Sequence, residues 1–449
     1  MPKVNLVLTL ICHDYLGGES HHDQQAVFTL KLEDQCRNPK VQSRVATFKL
    51  LMSLISGTLA AIASPRLGTW SDLYGRTLMI VIVNSGMIVN ELITILAATF
   101  PRVVSVWWLL VGSIFDGIAG SFVATMALSH SYAADCTPSN KRNVVFGYFH
   151  GCLYTGIAAG PVLSGYIIKI TNNLVTMFYL ALGCHIFFVL MLIFVIPESV
   201  PRSRQDSARH KHSERASGQR TLPWFAKLRS LNILQPLVIL YGPNASAPLR
   251  HNLILLASTD TIVFGLGMGA STIVLLYSNY MFGWDIWGQS QFTSIVNSCK
   301  VSCLLVILPI VTHWYRKRQT RSSHVHSPIE NDNEPNGTDI FELTIIRVAI
   351  FADVMGFLSY AISPTGGLFT LSGAIASIGG TASPTMQAAL TKHVPKENVG
   401  QLLGAMGLLH SLGRAMGPFV FTGIYAATVG GFPQAYFLIL AACFGMAWV

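Results

Sequence analysis

The sequence predicts an all-α polytopic membrane protein, and three observations carry that reading. Of 449 residues, 51% are hydrophobic and 11% charged, whereas a soluble domain carries about 25% charged residues. The apolar residues fall in runs of about 20, the length an α-helix needs to cross a hydrocarbon core. Basic residues gather in every second loop between those runs, as the positive-inside rule requires of a cytosolic side. The formal net charge of +9 is therefore dispersed over alternate loops. No single polar surface concentrates it, so a nucleic-acid partner is not expected.

In chain order, runs at 45–64, 78–100, 105–130, 144–168 and 175–196 form a first group, and runs at 251–279, 289–313, 341–362, 365–388, 399–426 and 434–449 a second. Arg66 and Arg76, Lys141 and Arg142, the stretch from Arg202 to Arg250, Arg316 to Arg318, and Lys392 with Lys396 mark the cytosolic loops. That orientation starts the first run outside. Residues 1–44 then read as the remnant of an earlier helix, over 4–12, followed by an extracellular or lumenal loop; the final helix reads as lacking its end. Four segments follow: 1–44, a bundle over 45–196, a cytosolic linker over 197–250, and a second bundle over 251–449. The first part of the linker, 202–212, has too few apolar residues to fold and is expected to be flexible. Its second part, 222–240, suits either a helix lying on the membrane surface or plain linker.

The eight cysteines are scattered. Cys12 and Cys36 are placed to pair outside, and nothing in the sequence decides it. The outer cluster of His13, Asp14, Glu19, His21, His22 and Asp23 is too irregular for a metal site, so no metal or cofactor is expected. The sequons at Asn244 and Asn336 fall in loops placed in the cytosol, where they would stay unmodified.

A repeat crosses the linker. Pro138, Gly147, Gly156, Gly160 and Pro161 correspond to Pro395, Gly404, Gly413, Gly417 and Pro418, each pair separated by 257 positions, as 138 is from 395 and 161 from 418. Both copies contain G-x-x-x-G-P. Two glycines four apart share a helix face and let a neighbouring helix approach closely, and the proline permits a bend. Gly156, Gly160, Pro161, Gly413, Gly417 and Pro418 are therefore expected at helix contacts.

The run Gly68-Thr-Trp-Ser-Asp72-Leu-Tyr-Gly75-Arg76 lies between two apolar segments and reads as a short cytosolic loop. It resembles the G-x-x-x-D-x-x-G-R loop between the second and third helices of major facilitator superfamily transporters. The segment from Gly156 to Gly165 is similar to that superfamily's fifth-helix motif, associated with antiporters, and Pro197-Glu198-Ser199 to its usual exit from the first half. Residues 132–142, followed by Phe146-Gly147, look most like fungal tetracycline-resistance-like members related to the proton-coupled folate transporter family. The chain departs from the superfamily pattern at Leu73 and Thr77, where basic residues are usual. It also lacks the Arg that many proton-driven antiporters carry on the helix of Asp116.

The resemblance implies the major facilitator fold of two pseudo-symmetric helical bundles in a multi-pass protein of the plasma membrane or an internal membrane. It implies a secondary transporter moving a small solute by alternating access, coupled to protons, with the solute, protons and the lipid bilayer as partners. It also implies a cytosolic gate of Gly68, Asp72, Gly75, Arg76, Asp135 and Arg142 that latches the two halves, with Asp72 facing the helix that begins near Val399. Separately, ionisable residues inside a span are expensive and hence functional candidates. Glu91, Asp116, Asp260, Lys300, Asp353, His410 and Arg414 qualify as proton or substrate sites. Each acid can equally be one partner of a buried ion pair, and Lys300 and Arg414 can either bind an anion or neutralise Asp260 and Asp353. His150 and His185 read as packing residues. The competing functions are a transport-inactive sensor or scaffold of the same ancestry and a polytopic membrane enzyme. No H-E-x-x-H, placed nucleophile and base, or phosphate-binding glycine loop supports the last.

Overall fold

A computed structural model of the chain describes residues 2–15, 39–101, 103–219, 235–241, 247–284, 286–322 and 339–448. Every long element among them is a helix. The first group comprises α1 (Pro2–Tyr15), α2 (Pro39–Tyr74), α3 (Arg76–Thr99), α4 (Trp108–Ile118), α5 (Ser121–Cys136), α6 (Arg142–Thr171) and α7 (Val175–Phe194). The linker contributes α8 (Arg202–Gln219). The second group comprises α9 (Ala247–Phe282), α10 (Ile286–Ser302), α11 (Leu308–Ser322), α12 (Ile340–Ile362), α13 (Gly366–Ala376), α14 (Ala382–Thr391), α15 (Val399–Thr428) and α16 (Ala435–Trp448). Eight helical segments among the described residues are long and apolar enough to cross a membrane, with α4 and α5 counted as one and α10 and α11 as another. The three other predicted runs, over α13–α14, α15 and α16, are helical too.

In hydrocarbon a backbone must satisfy its own polar groups, so interruptions occur where protein covers them. α4 and α5 meet at Gly120, whose φ of +92° is a left-handed conformation suited to glycine. The sequence reading had one unbroken helix there. In the second group a 3₁₀ turn over Ser377–Thr381 separates α13 from α14, and Ser377 stands 257 positions after Gly120. The repeat extends to helix boundaries. α6 and α15 each span 30 residues in the same register, each following a 3₁₀ turn, Ser139–Lys141 and Lys396–Asn398.

Three expectations need correction. The segment from Gly68 to Tyr74 is no loop: it is the last turns of α2, and the chain turns at Gly75 alone, with φ of +104°. The linker's first part is not flexible chain but α8, because contacts along its first half supply what an apolar face would otherwise provide. Arg204 and Arg209 anchor it to the first bundle. Finally, α2 starts at Pro39, earlier than the predicted run. Its outer end packs through Val41, Val45 and Phe48 against Leu6, Val7 and Leu10 of α1. The surface-helix reading of 222–240 lies mostly outside the described residues; the short stretch Gln235–Tyr241 is 3₁₀. Cys36, both sequons and most of the outer His/Asp/Glu cluster also lie outside them, while Cys12 is disulfide-bonded.

The second bundle's core is aromatic. Tyr277, Phe292, Tyr360, Phe369 and Phe437 interlock with ring centroids 4.4 to 6.5 Å apart. The bundles meet mainly where α2 runs along α15 and α6 along α10.

Candidate functional site

α2 and α3 join at Gly75, which places Arg76 at the first position of α3 with its side chain turned into protein. It is fully buried. Its guanidinium lies 2.6 Å from Asp72 Oδ1, donates from Nε to Asp135 Oδ2 at 2.9 Å, and donates from Nη1 to the Ser71 hydroxyl at 2.5 Å. A planar fork of donors is suited to holding two carboxylates at once. Asp135 also accepts from Arg204 Nη1 at 3.0 Å. Arg204 reaches on to the carbonyl of Lys396 in the other bundle, and Arg209 donates to the Leu73 carbonyl at 2.9 Å. The linker thus brings a basic residue to the position where the sequence departs from the superfamily pattern.

Glu198 caps α3 from 122 positions away. It accepts from the backbone N–H groups of Arg76 and Thr77 at 2.8 and 3.1 Å, and from the Thr77 hydroxyl at 2.6 Å. Burial pushes its carboxyl up, but the hydrogen bonds from Thr77, Arg76 and Val200 outweigh that and hold it below its usual range. A Cβ at Gly75 would meet this carboxylate at 2.5 Å. The sequence marked Pro197-Glu198-Ser199 only as an exit. Its capping role has no local signal, because the partner is remote.

Close backbone approach completes the junction. Gly68 of α2 faces Gly400 and Gly404 of α15: a Cβ at Gly68 would lie 2.8 Å from the Gly404 Cα. At Gly400 a Cβ would fall on the Arg76 guanidinium and 2.6 Å from Asp72. Asp72 therefore does face the start of α15. Arg142, also buried, donates to the Ala134 carbonyl at 3.1 Å and, across the bundles, to the Thr391 hydroxyl at 3.1 Å. All six residues expected of a cytosolic gate therefore fall in one region. Within the second bundle, buried Lys392 pairs at 2.9 Å with Glu342 and Asp339. Lys392 stands 257 positions after Asp135, so the repeat keeps an ion pair here with its polarity reversed.

Between the bundles lies a cavity of about 590 Å³. One wall comes from α5 and α6, the other from the second bundle, and Lys300, Asp353, His410 and Arg414 line it. Asp260 lies behind the wall, fully buried. Its carboxylate accepts from the Ser383 hydroxyl at 2.7 Å and is 3.0 Å from His410 Nε2, so it is one of the acids that finds a partner. Asp116 accepts from Ser56 at 2.6 Å and Ser121 at 2.9 Å, and Ser121 accepts in turn from Arg414 at 3.4 Å. Ser121 follows Gly120, so the break between α4 and α5 aims that hydroxyl. Glu91 does not line the cavity. Next to it in sequence, Asn90 accepts from the Lys3 ammonium of α1 at 3.4 Å.

The glycine motif behaves differently in its two copies. Gly413 packs on Gly265, with a Cβ there 3.4 Å from the Gly265 Cα, and a Cβ at Gly417 would overlap the Gly265 carbonyl. At Gly156 and Gly160 nothing lies within 4 Å of an added Cβ. The expected close packing is absent from the first copy: among the described residues no helix lies against Gly156 or Gly160, although the Ala158 carbonyl between them accepts from Ser294 at 2.8 Å. His130, Tyr154, Gln387 and Ser383 are cavity residues that the sequence reading missed. His130 closes a predicted apolar run and looks like a helix end, yet it is 1% exposed and stacked on Phe146 and His150.

The Major Facilitator Superfamily model matches residues 40–325. The chain is 29% identical over 444 residues to the MFS-type transporter avaJ of Aspergillus versicolor, covering 98% of this chain and 82% of that one. It is 23% identical over 408 residues to the class H tetracycline resistance protein of Pasteurella multocida, covering 90% and 86%. Among solved structures, the human organic anion transporter MFSD10 (TETRAN) superposes with a TM-score of 0.70 at 16% identity, covering 100% of this chain and 97% of that one. The shared fold, the duplicated bundles and the family match lead to one conclusion: this integral, multi-pass membrane protein belongs to the Major Facilitator Superfamily.

Proposed function

We propose that the protein is a secondary transporter that moves a small organic solute by alternating access, with protons as the coupling ion. The observation that carries this reading is the central cavity, walled by both bundles while they are joined at one end. Two bundles rocking about a fixed site are how such folds work. Gly68, Asp72, Gly75, Arg76, Asp135 and Arg142 then act as the latch of the cytosol-closed state. Arg204 extends that latch through the linker, and opening inward requires its cross-bundle contacts to part. Asp260 with His410, and Asp116 with Ser121 and Arg414, are the groups whose protonation is coupled to the cycle. Each carboxylate is held by hydroxyl donors, and each group contains a residue that lines the cavity.

The test is solute flux in proteoliposomes holding the purified full-length chain, with and without an imposed pH gradient. Accumulation that follows the gradient and disappears when it is collapsed is expected. Flux that ignores the gradient removes the proton from the reading, and binding without flux under any gradient favours a sensor.

A further inference from the structure

The cavity wall presents an acid and a base side by side, each lacking an ionic partner within 4.0 Å among the described residues. Asp353 of α12 is 8% exposed and makes no hydrogen bond within the described chain. Its carboxylate rests against Gly379, where any Cβ would overlap it. The next residue, Gly380, seats the Lys300 side chain: a Cβ there would lie 3.5 Å from the lysine Cγ. Both glycines belong to the 3₁₀ turn between α13 and α14. The two side chains rest on consecutive glycines, yet they do not close into a salt bridge. Instead the Lys300 ammonium lies 4.9 Å from the Tyr154 ring centroid in the opposite bundle, a cation–π distance.

A buried carboxylate and a nearby ammonium that merely neutralised each other would be expected to meet, because burial is repaid only by close, well-formed contact. Here the glycines leave room beside them. The remaining wall includes Phe264, Phe357 and Phe444, and cavities that are mainly apolar with a few placed polar groups are the usual form of small-molecule sites. His130 adds a ring whose two nitrogens carry no hydrogen bond among the described residues.

We infer that this cavity takes a small amphipathic zwitterion, its cationic group on Asp353, its anionic group on Lys300 and its aromatic or apolar body against the phenylalanines. The inference rests on the cavity being the solute site of the proposed carrier. A simple anion would leave Asp353 buried beside added negative charge. A simple cation would do the same to Lys300. A solute bearing both charges satisfies both residues at once.

Three probes with one ring system separate these cases: tryptophan, tryptamine and indole-3-propionate, titrated by calorimetry against the purified full-length protein. Tryptophan is expected to bind at least about tenfold more tightly than either singly charged probe, a ratio equal to about 1.4 kcal/mol. Asp353→Asn should erase its advantage over indole-3-propionate, and Lys300→Gln its advantage over tryptamine. The ranking on the unmodified protein tests the idea even if a variant does not fold. A singly charged probe that equals or beats tryptophan, no binding by any of the three, or two folded variants that leave both ratios unchanged would each overturn it. Tryptophan binding without flux in proteoliposomes would sink the carrier reading and leave the site. Flux of another solute with which tryptophan does not compete would do the reverse.

Discussion

Arg76 is fully buried and charged, and it stays so because two carboxylates and a hydroxyl take its donors. Removing one member of such a group leaves the others buried without compensation, which costs about 3–5 kcal/mol. Arg76→Gln should therefore lower the melting temperature of the purified protein sharply. Arg76→Lys should recover only part of the loss, because an ammonium cannot serve Asp72 and Asp135 in one plane. Glu198 contributes through hydrogen bonds that hold its carboxyl below the ordinary range. A group whose folded-state value is depressed adds stability above its unfolded value, about 4.3, and loses it as pH falls through the folded one. The melting-temperature gap between the native protein and Glu198→Gln should be constant above about pH 5.5 and narrow as pH falls below about 4. A gap independent of pH would mean that the carboxylate charge plays no part in capping α3.

α8 has little apolar surface and holds its helix through borrowed contacts. Arg204 touches Asp135 in the first bundle and the Lys396 carbonyl beside the second; Arg209 holds the Leu73 carbonyl and covers the Tyr74 ring at 5.4 Å. A charge-assisted hydrogen bond is worth about 1.5–3 kcal/mol. Arg204→Ala should therefore raise amide exchange across 202–219 by tenfold or more, read by hydrogen-exchange mass spectrometry, while α2 and α3 keep their protection. The two G-x-x-x-G-P helices give a second contrast. Gly417→Ala forces a methyl onto the Gly265 carbonyl, an overpacking that costs about 1–3 kcal/mol. Gly160→Ala meets nothing within 4 Å and gains helix propensity, so its melting temperature should hold or rise slightly.

At the scale of the whole molecule, the two bundles touch at one end through Gly68 with Gly404, Arg142 with Thr391 and Arg204 with Lys396. The last turns of α6, around Gly160 and Gly165, are open. Under the proposed alternating access this asymmetry reverses, with the open face of α6 receiving a neighbour when the joined ends part. A bulky residue there should be harmless to the present state and obstructive to the other. Gly160→Leu is thus expected to leave folding intact, by melting temperature, and to cut proteoliposome flux at least about tenfold, equivalent to 1.4 kcal/mol in one step of the cycle. Unaltered flux would show that α6 does not close in this way.

The helical runs and their duplication were legible in the sequence because they depend on local quantities: apolar run length, and glycine and proline spacing. The 257-residue register of the glycine and proline pairs carries through to both ends of α6 and α15, which the predicted runs 144–168 and 399–426 did not place in register. The break at Gly120 and the helical state of 202–219 were not legible. A glycine in an apolar run is compatible with a continuous helix, and a polar segment gives no sign of the distant carboxylate that will anchor it. Among the candidate ionisable residues, composition showed that each was costly in a membrane. Only the tertiary structure decided which were already paired, as Asp260 is with His410, and which face an open cavity, as Asp353 and Lys300 do. The reason is physical: burial is set by helix hydrophobicity, which the chain encodes locally, whereas pairing is set by distances between helices hundreds of residues apart.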